Sequence, residues 1–546
     1  MADSSKESNE RRVLSRRKLL GGAAAGVAAG AVGSFSSITK AWGAPAVPKG
    51  AVQEMTADVV VAGAGIGGLT AAVRSLHQGA SVILLEKAEQ PGGTTAHSEG
   101  GLANHEYEHM RNNSPDGDPV VQRAIYDNIE RFFGFMEEID APITRPGEPA
   151  AMVGAQQISD GERRGRVIPP VVWVRYMVGE LEDRGGTLLT ETPMTRIMTN
   201  DRREVVGVLA EGPDGPVRIR TKAVVVATGG WAHNAKMVNE HITREQIWQR
   251  NVSNGRETPL FTGDGYFLAS QLGAAPSKGG WDAFYGYSLP ARPGRPVEPM
   301  ANVSIYHAHF GVGLNLYGRR YADESGGKWG SRPRDQFTGR SAQILNQEGC
   351  RQVEASTIHI WDEVINRERA CAECALGGSD RWLAYREVGA PVAQADTLSE
   401  LADQIERWGR GTPAQTIMEE VTQYNQAAEA GRAWALPIPK TGAENGHANP
   451  LTTGPFYAVL GTAAITATYG GLRADSQGRV LDRFDRPIRG LFAAGVDIGG
   501  YSTYAYLGNL LIGGSFGYLS GTNAPRVPEP SGGWAVAPWM GASVPT

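Results

Sequence analysis

The sequence predicts an α/β protein in which a doubly wound parallel sheet is interrupted by a separate α+β domain. Three observations lead there. Residues 58–86 read in order as strand, glycine turn, helix, strand and terminal acid. Two later apolar runs, 223–227 and 491–494, also end at a glycine segment. Between them the composition shifts near residue 280 towards Pro, Gly and aromatics, and shifts back after Pro450. A chain of 546 residues is long enough for more than one domain.

The first unit carries the strongest signal. Asp58-Val59-Val60-Val61-Ala62 is a short apolar run, as a strand buried on both faces requires. Gly63, Gly65 and Gly68 match G-x-G-x-x-G at its exit, with Gly67 inside the turn. In such a turn the glycines allow a tight bend, close approach of a pyrophosphate, and close helix–strand packing. Residues 69–78 are compatible with a helix whose N-terminus faces the phosphates. The next strand, Val82 to Leu85, ends at Glu86, 18 residues after Gly68, near the spacing of a ribose-binding acid. The order of these parts points to a bound dinucleotide.

Past Glu86-Lys87, the run Pro91-Gly92-Gly93-Thr94-Thr95 leads to Ser98-Glu99-Gly100-Gly101. Here the chain resembles the fumarate reductase / 3-ketosteroid dehydrogenase flavoprotein superfamily. Its members carry a similar E-K-x-x-x-P-G-G-T/N stretch, then small residues ending in Gly-Gly. The resemblance continues at Ala227-Thr228-Gly229-Gly230-Trp231, and at Thr262-Gly263-Asp264-Gly265, where the aspartate approaches the cofactor's phosphate–ribitol region. It returns at Thr468-Tyr469-Gly470-Gly471-Leu472 and at Gly490-Leu491-Phe492-Ala493-Ala494-Gly495, followed by Asp497. It covers roughly 55–525 and implies a non-covalent FAD in a Rossmann-type FAD-binding domain, interrupted by an α+β substrate (capping) domain. A helix is expected from Gly508-Asn509-Leu510 to about Gly521, its positive end towards the flavin pyrimidine.

The remaining elements follow in order. Residues 118–138 carry Val121, Ile125, Ile129, Phe132 and Phe133 at helical spacing, which is core packing. Residues 171–181 read as a helix, followed by strands near 187–189, 205–210 and 217–219. Helices are expected over 397–408 and 416–431. Asn315-Leu316-Tyr317-Gly318-Arg319-Arg320-Tyr321-Ala322-Asp323-Glu324 resembles the family's N-x-x-G-x-R-[FY]-x-[ND]-E segment of the substrate domain. The expected domains are a signal segment at 1–46, FAD-binding parts at 55–280 and 451–525, a capping domain at 281–450, and an irregular tail at 526–546.

Composition narrows the partners. Net charge is −5 and no basic stripe interleaved with aromatics is present, so nucleic acid is not expected. No segment reads as a good membrane span. Cys371-Ala372-Glu373-Cys374 has C-x-x-C spacing, but Ala375 stands where a haem site needs His. No second pair completes a zinc site, and no metal is expected.

The C-terminal stretch carries the reaction. In the fumarate reductase branch a His upstream of the T-M-G-G segment and an Arg in R-L-G-G hold substrate carboxylates. Here the matching run 464–469 has no His, and Tyr506 stands in place of the Arg. The ketosteroid dehydrogenase branch instead binds a ketone through the tyrosine hydroxyl and last glycine N–H of T-Y-P-G-P-G. Thr503-Tyr504 with Gly508 four residues on is similar to that arrangement, though the prolines are absent. The resemblance thus implies Tyr504 and Gly508 as carbonyl donors. Counting four residues past Glu324 gives Lys328 for proton transfer; Arg332 or Arg334 in the same loop, or Tyr506 by neighbourhood, are the alternatives. The expected activity is dehydrogenation or reduction of a carbon–carbon bond beside the carbonyl of an apolar cyclic ketone, with an external electron acceptor or donor. The competing expectation is a respiratory reductase of an unsaturated acid, fed by a separate cytochrome.

The first 46 residues stand apart. Arg16-Arg17 precedes a weakly apolar Gly/Ala run to Gly33, with small residues near 41–46. This reads as a twin-arginine export signal, which places the mature protein in the periplasm or outside the cell. An Arg16→Lys/Arg17→Lys variant is expected to stay in the cytoplasm, folded and yellow. Fractionation that finds it exported like the parent would remove the twin-arginine assignment.

Overall fold

The computed structural model describes residues 52–98, 100–102, 106–144, 166–245, 248–249, 260–291, 303–325, 339–370, 381–442, 447–504 and 506–537. The expected signal segment, Lys328 with its loop, and Cys371 and Cys374 lie outside them.

Strand β1 (Val59–Ala62) is buried along its whole length. It feeds α1 (Ile66–His77) and then β2 (Val82–Leu85). Gly63 makes the turn: its φ is +103°, and a Cβ there would lie 2.1 Å from the Ala227 carbonyl oxygen. A Cβ on Gly68 would lie 1.8 Å from the Gly63 carbonyl oxygen, so the helix sits directly on the turn. Helix α2 (Pro119–Glu138) starts with Pro119 after an Asp118 cap, whose carboxylate accepts from Val120 N–H at 2.9 Å. It buries the five apolar residues whose spacing predicts it. Helix α3 (Pro170–Asp183) leads to β3 (Thr187–Leu189), and β4 (Ala223–Val226) follows. With β5 (Arg479–Leu481) and β6 (Pro487–Ala493), these strands form a six-stranded sheet in the order β5-β6-β4-β1-β2-β3. Every pair is parallel except the β5–β6 edge. A second, four-stranded sheet joins Gln53–Thr56, Gly215–Arg220, Val205–Gly212 and Met194–Thr199. The first and last of these have no counterpart in the sequence reading.

The inserted domain is built on an antiparallel sheet with Phe456–Thr462 at its centre. That strand pairs with Ser356–Trp361, Leu289–Pro290 and Val392–Ala395. Helices α4 (Gly339–Gly349), α5 (Leu398–Glu406) and α6 (Ala414–Glu429) belong to the same segment. The sequence starts the second FAD-binding part at 451, which would put Phe456-Tyr457-Ala458-Val459 in the first domain as its re-entry strand; the structure corrects this. All seven residues of 456–462 are buried. A run buried on both faces reads alike whether it sits in a parallel sheet or in the middle of an antiparallel one.

Helix α7 (Asn509–Asn523) crosses α1 at backbone distance. A Cβ on Gly513 would lie 2.6 Å from Ile66 Cγ2, one on Gly517 2.5 Å from Gly67 O, and one on Gly521 2.5 Å from Ala71 O. Beyond it the tail has no helix or strand after Arg526 among the described residues, yet it is fastened. Glu204 accepts from Ser531 Oγ at 2.5 Å and Gly532 N–H at 2.9 Å, and pairs with Arg489.

Because the obstacle at Gly517 is backbone, it cannot swing aside. Gly517→Ala is expected to cost about 1–3 kcal/mol as an overpacked contact. Gly134→Ala, on an exposed stretch of α2 with nothing within 4 Å, should stabilise by roughly 0.4–1 kcal/mol. Urea denaturation of both variants measures the contrast; equal stability would mean the crossing has slack.

Candidate active site

A cleft opens where β1, β2 and β4 end. Its lining includes Gly63, Gly65, Glu86, Lys87, Gly93, Thr94, Thr228, Gly229 and Asp264, all expected cofactor residues. It also includes Thr192, Pro193, Met194 and Phe261, which no motif marks. Strand ends in a parallel sheet are where ligands of such folds bind, because the strands stop there and helices begin.

Glu86 closes the glycine turn on itself. One carboxylate oxygen accepts from Ala64 N–H at 2.9 Å and the other from Ala88 N–H at 2.8 Å. Burial pushes its pKa up, against the pull of those two N–H groups. Each oxygen keeps a second lone pair, which a ribose diol can use. Lys87 donates to Thr262 Oγ1 at 2.9 Å and to Asp264 at 2.8 Å. The structure therefore ties Asp264 to Lys87, at the same cavity. Thr95 Oγ1 accepts from Ile66 N–H at 3.0 Å, which holds the Gly93–Ala96 turn against the start of α1.

Gly67 and Gly68 are packing positions. A Cβ on Gly67 would lie 2.9 Å from Gly495 N, and Gly68 abuts Gly63. Gly100 is likewise pressed against the Ile168 carbonyl oxygen, 2.0 Å from where its Cβ would stand. Gly101 and Gly495 differ: a Cβ at either would meet no protein atom within 4 Å. Asp497 accepts from Thr228 Oγ1 at 3.0 Å and Gly229 N–H at 2.9 Å. Burial raises its pKa to about 6.

At the start of α7, Asn509 Oδ1 accepts from Tyr501 Oη at 3.2 Å, while Asn509 Nδ2 is buried with no partner. Leu510 follows, half-buried. An orphaned amide donor, two open glycine faces and a helix N-terminus match the needs of an electron-accepting ring with hydrogen-bond acceptors, joined to a pyrophosphate. The residues fit a flavin dinucleotide. A family model described as "FAD binding domain" matches residues 153–509, more than half of the chain. The chain belongs to this FAD binding domain family.

A model for FAD dependent oxidoreductases also matches residues 58–231. Curated relatives include an NADH:acrylate oxidoreductase of Vibrio harveyi, 25% identical over 86% of this chain and 50% of its own length. The chain thus spans half of that relative. A probable fumarate reductase of Shewanella frigidimarina is 26% identical over 86% of this chain and 75% of the relative. A 3-oxosteroid 1-dehydrogenase of Mycolicibacterium smegmatis is 25% identical over 80% and 91%. Among solved structures, a 3-ketosteroid-Δ4-(5α)-dehydrogenase of Rhodococcus jostii superposes with a TM-score of 0.62 at 23% identity, covering 88% of this chain and 99% of the other. That likeness bears on the fold. This chain is an FAD-dependent oxidoreductase, and its relatives include both fumarate reductases and ketosteroid dehydrogenases.

Of the expected reaction residues, Tyr504 and Gly508 are both placed just before α7. Tyr504 is half-buried, and burial holds its phenol protonated, with a pKa of about 12. Gly508 caps α7 with φ +84°, a left-handed conformation that glycine adopts freely. Among the described residues, neither the Tyr504 hydroxyl nor the Gly508 N–H has a hydrogen-bond partner. Tyr506 stacks on Tyr285 with ring centroids 4.1 Å apart and is 8% exposed, so the structure places it in an aromatic wall. Tyr469 and Tyr501 are fully buried and meet edge to face. Glu324 is buried against Arg320 at 2.5 Å, a scaffold pair. Gln343 and Gln347 of α4 reach the Tyr504 carbonyl oxygen. Sequence reading misses them, since an amide that binds a backbone carbonyl leaves no motif. Cys350 is a buried free thiol whose pKa burial raises to about 12, and its Sγ donates to Gln347 O.

The Gly65 cradle gives a direct test. A Cβ there would meet only Thr95 Oγ1 at 3.7 Å and Gly92 O at 3.9 Å, ordinary contacts. Gly65→Val is therefore expected to fold yet emerge colourless, because its side chain fills the approach to the pyrophosphate. A yellow, stoichiometrically loaded variant would overturn this placement.

Proposed function

We propose that this protein is an exported enzyme that interconverts a saturated bond and a carbon–carbon double bond beside the carbonyl of a cyclic ketone. The observation that carries the reading is the pair of donors, Tyr504 Oη and Gly508 N–H, that have no hydrogen-bond partner among the described residues and stand immediately before α7. Removing a proton next to a ketone builds negative charge on its oxygen. Donors aimed at that oxygen stabilise the developing enolate more than the ground state, which lowers the barrier. A phenol with a pKa of about 12 stays a donor throughout the neutral range. When FAD is bound, hydride transfer to or from the neighbouring carbon would be the chemistry it supplies.

The aromatic wall suits a flat apolar ring. Tyr506 stacks on Tyr285, which meets Tyr287 edge to face, and Tyr287 meets Tyr306 in the same way. The two sequence positions at which the family's reductases hold carboxylates are filled here by residues without a cationic group, Tyr506 and the His-free run 464–469. The dehydrogenase relative named for a 3-oxosteroid adds support. The names of the acrylate and fumarate relatives favour the second reading, reduction of an unsaturated acid.

Anaerobic flavin bleaching by saturated ketones, and reoxidation of dithionite-reduced enzyme by an enone or an unsaturated acid, separates the two readings. Tyr504→Phe is expected to keep its FAD and lose on the order of 10²–10³ in turnover on the ketone. Wild-type turnover by that variant on a confirmed ketone substrate would leave the tyrosine a packing role and turn the reading towards the acid.

A further inference from the structure

The loop that carries Tyr504 is held from the other domain. Gln347 Nε2 donates to the Tyr504 carbonyl oxygen at 2.8 Å. Gln343 Nε2 donates to the same oxygen at 3.1 Å and to Tyr469 Oη at 3.0 Å. Both lone pairs of one peptide carbonyl are thereby taken by two side chains. The glutamines stand four residues apart on α4, which puts them on one face of that helix. Both are buried, Gln343 completely and Gln347 at 3% exposure.

The orientation of the Gln343 amide is fixed by its surroundings. The carbonyl oxygens of Tyr504 and Phe284 both face its nitrogen, so the flipped amide would set oxygen against oxygen; as placed, its Oε1 is buried without a hydrogen-bond partner among the described residues. The rest of the loop is held by its own domain: Thr503 N–H donates to Ser114 Oγ at 2.9 Å, and Tyr504 N–H to Ser502 Oγ at 3.3 Å. From Tyr469 the contacts continue to Tyr501, ring against ring at 5.3 Å, and from Tyr501 Oη to Asn509 at the head of α7. Helix α4 of the inserted domain is therefore linked to the residue that starts the flavin-facing helix.

We infer that Gln343 and Gln347 are positioning residues that set the Tyr504 hydroxyl for the substrate carbonyl, so that the inserted domain completes the donor pair rather than merely covering it. The inference rests on the ketone reading for the role of Tyr504, but not for the clasp itself. Neither glutamine lines the cofactor cavity. Two amide donors on one carbonyl restrict the peptide on which the Tyr504 side chain is mounted. Small errors in the direction of an oxyanion donor are costly, since its benefit depends on distance and angle to charge that develops only in the transition state.

Three variants test this in the full-length, FAD-loaded protein. Gln343→Ala/Gln347→Ala should load FAD as the parent does. Its amide hydrogen exchange over residues 502–504 should rise at least tenfold, with no substrate needed. On a ketone that the parent turns over, kcat should fall about 10–100-fold with KM changed less than threefold. Gln347→Glu puts a carboxyl against the Tyr504 carbonyl oxygen. A buried carboxyl has a raised pKa. Below that pKa its O–H can donate, and above it a charge faces the carbonyl oxygen. Turnover of Gln347→Glu, divided by that of the parent at each pH, should therefore recover as pH falls from 8 to 5. The same ratio for Gln347→Ala should stay flat.

Unchanged exchange in the double variant would show that the glutamines do not hold the loop, and would overturn the proposal whatever the substrate. Faster exchange with parental kcat would leave a clasp without a positioning role, and equally overturn it. Failure of the ketone reading is seen separately, as Tyr504→Phe turning over at the parental rate while the exchange result stands.

Discussion

The crossing of α7 over α1 is the contact on which the rest of the site depends. Gly513 meets Ile66, Gly517 meets Gly67 and Thr70, and Gly521 meets Ala71 and Arg74, so the two helices run in the same direction. Their N-termini consequently lie at the same end of the sheet. Asn509 starts α7 four residues before Gly513, which places its head about 6 Å beyond the start of α1. Each N-terminus carries roughly half a positive charge, and two side by side repel unless something negative lies across them. A dinucleotide meets that need in sequence: pyrophosphate at the head of α1, then an electron-accepting ring one turn further on. Larger residues at 513, 517 and 521 would separate the helices and lose this registration. The small-residue face of α7 and the glycine turn after β1 are thus two halves of one arrangement.

Much of this arrangement was legible because each part has a local physical cause. The β1–α1–β2 unit needs its glycines at fixed places, and the sequence has them there. The spacing of Val121, Ile125, Ile129, Phe132 and Phe133 predicts α2, and all five are buried. What escaped depends on partners remote in sequence. Phe456–Thr462 is buried on both faces, so its composition does not distinguish the sheet it joins. Glu86 is recognisable as the acid at the strand end, but its use in pinning the Ala64 and Ala88 N–H groups is visible only in three dimensions. Tyr501, Tyr504 and Tyr506 lie within six residues of sequence, and Tyr469 lies in the T-x-G-G-L segment. The structure divides them: Tyr469 and Tyr501 in the core, Tyr506 in a stack, and Tyr504 half-buried, its hydroxyl without a partner among the described residues. Gln343 and Gln347 had no signal at all.

The resemblance used to count towards the proton-transfer position rests on a scaffold. Burial alone would push the Glu324 carboxyl up, but Arg320 and Lys440 hold it below its ordinary range. Its Oε1 accepts from Gly313 N–H at 3.1 Å and from Arg320 Nε at 2.8 Å, and Arg320 Nη1 donates to Ile438 O at 2.6 Å. Asp323 accepts from Thr441 Oγ1 at 2.7 Å. A buried ion pair of this kind is weak as a source of stability, since desolvation offsets most of the attraction. Here it joins three chain segments at 313, 320–324 and 438–441. The N-x-x-G-x-R-[FY]-x-[ND]-E segment is therefore a scaffold within the inserted domain.

The character of the donors favours a neutral substrate in the proposed reaction. A carboxylate is best held by groups that carry charge, because its desolvation is costly and a cation repays it most directly. A ketone oxygen is neutral before reaction and gains charge only at the transition state. Neutral donors serve it better, since they do not bind the ground state strongly and their benefit grows as the charge grows. Tyr504 and Gly508 are such donors: a phenol kept protonated by its burial, and a backbone N–H with no side chain in front of it. The Tyr506–Tyr285 stack adds apolar faces, and the charged groups that act on Tyr504 are Glu348, Arg351 and Asp323, of both signs. On the proposed reading, a site built in this way would discriminate by shape and by the charge that develops during reaction, which a ring ketone offers and a dicarboxylate does not.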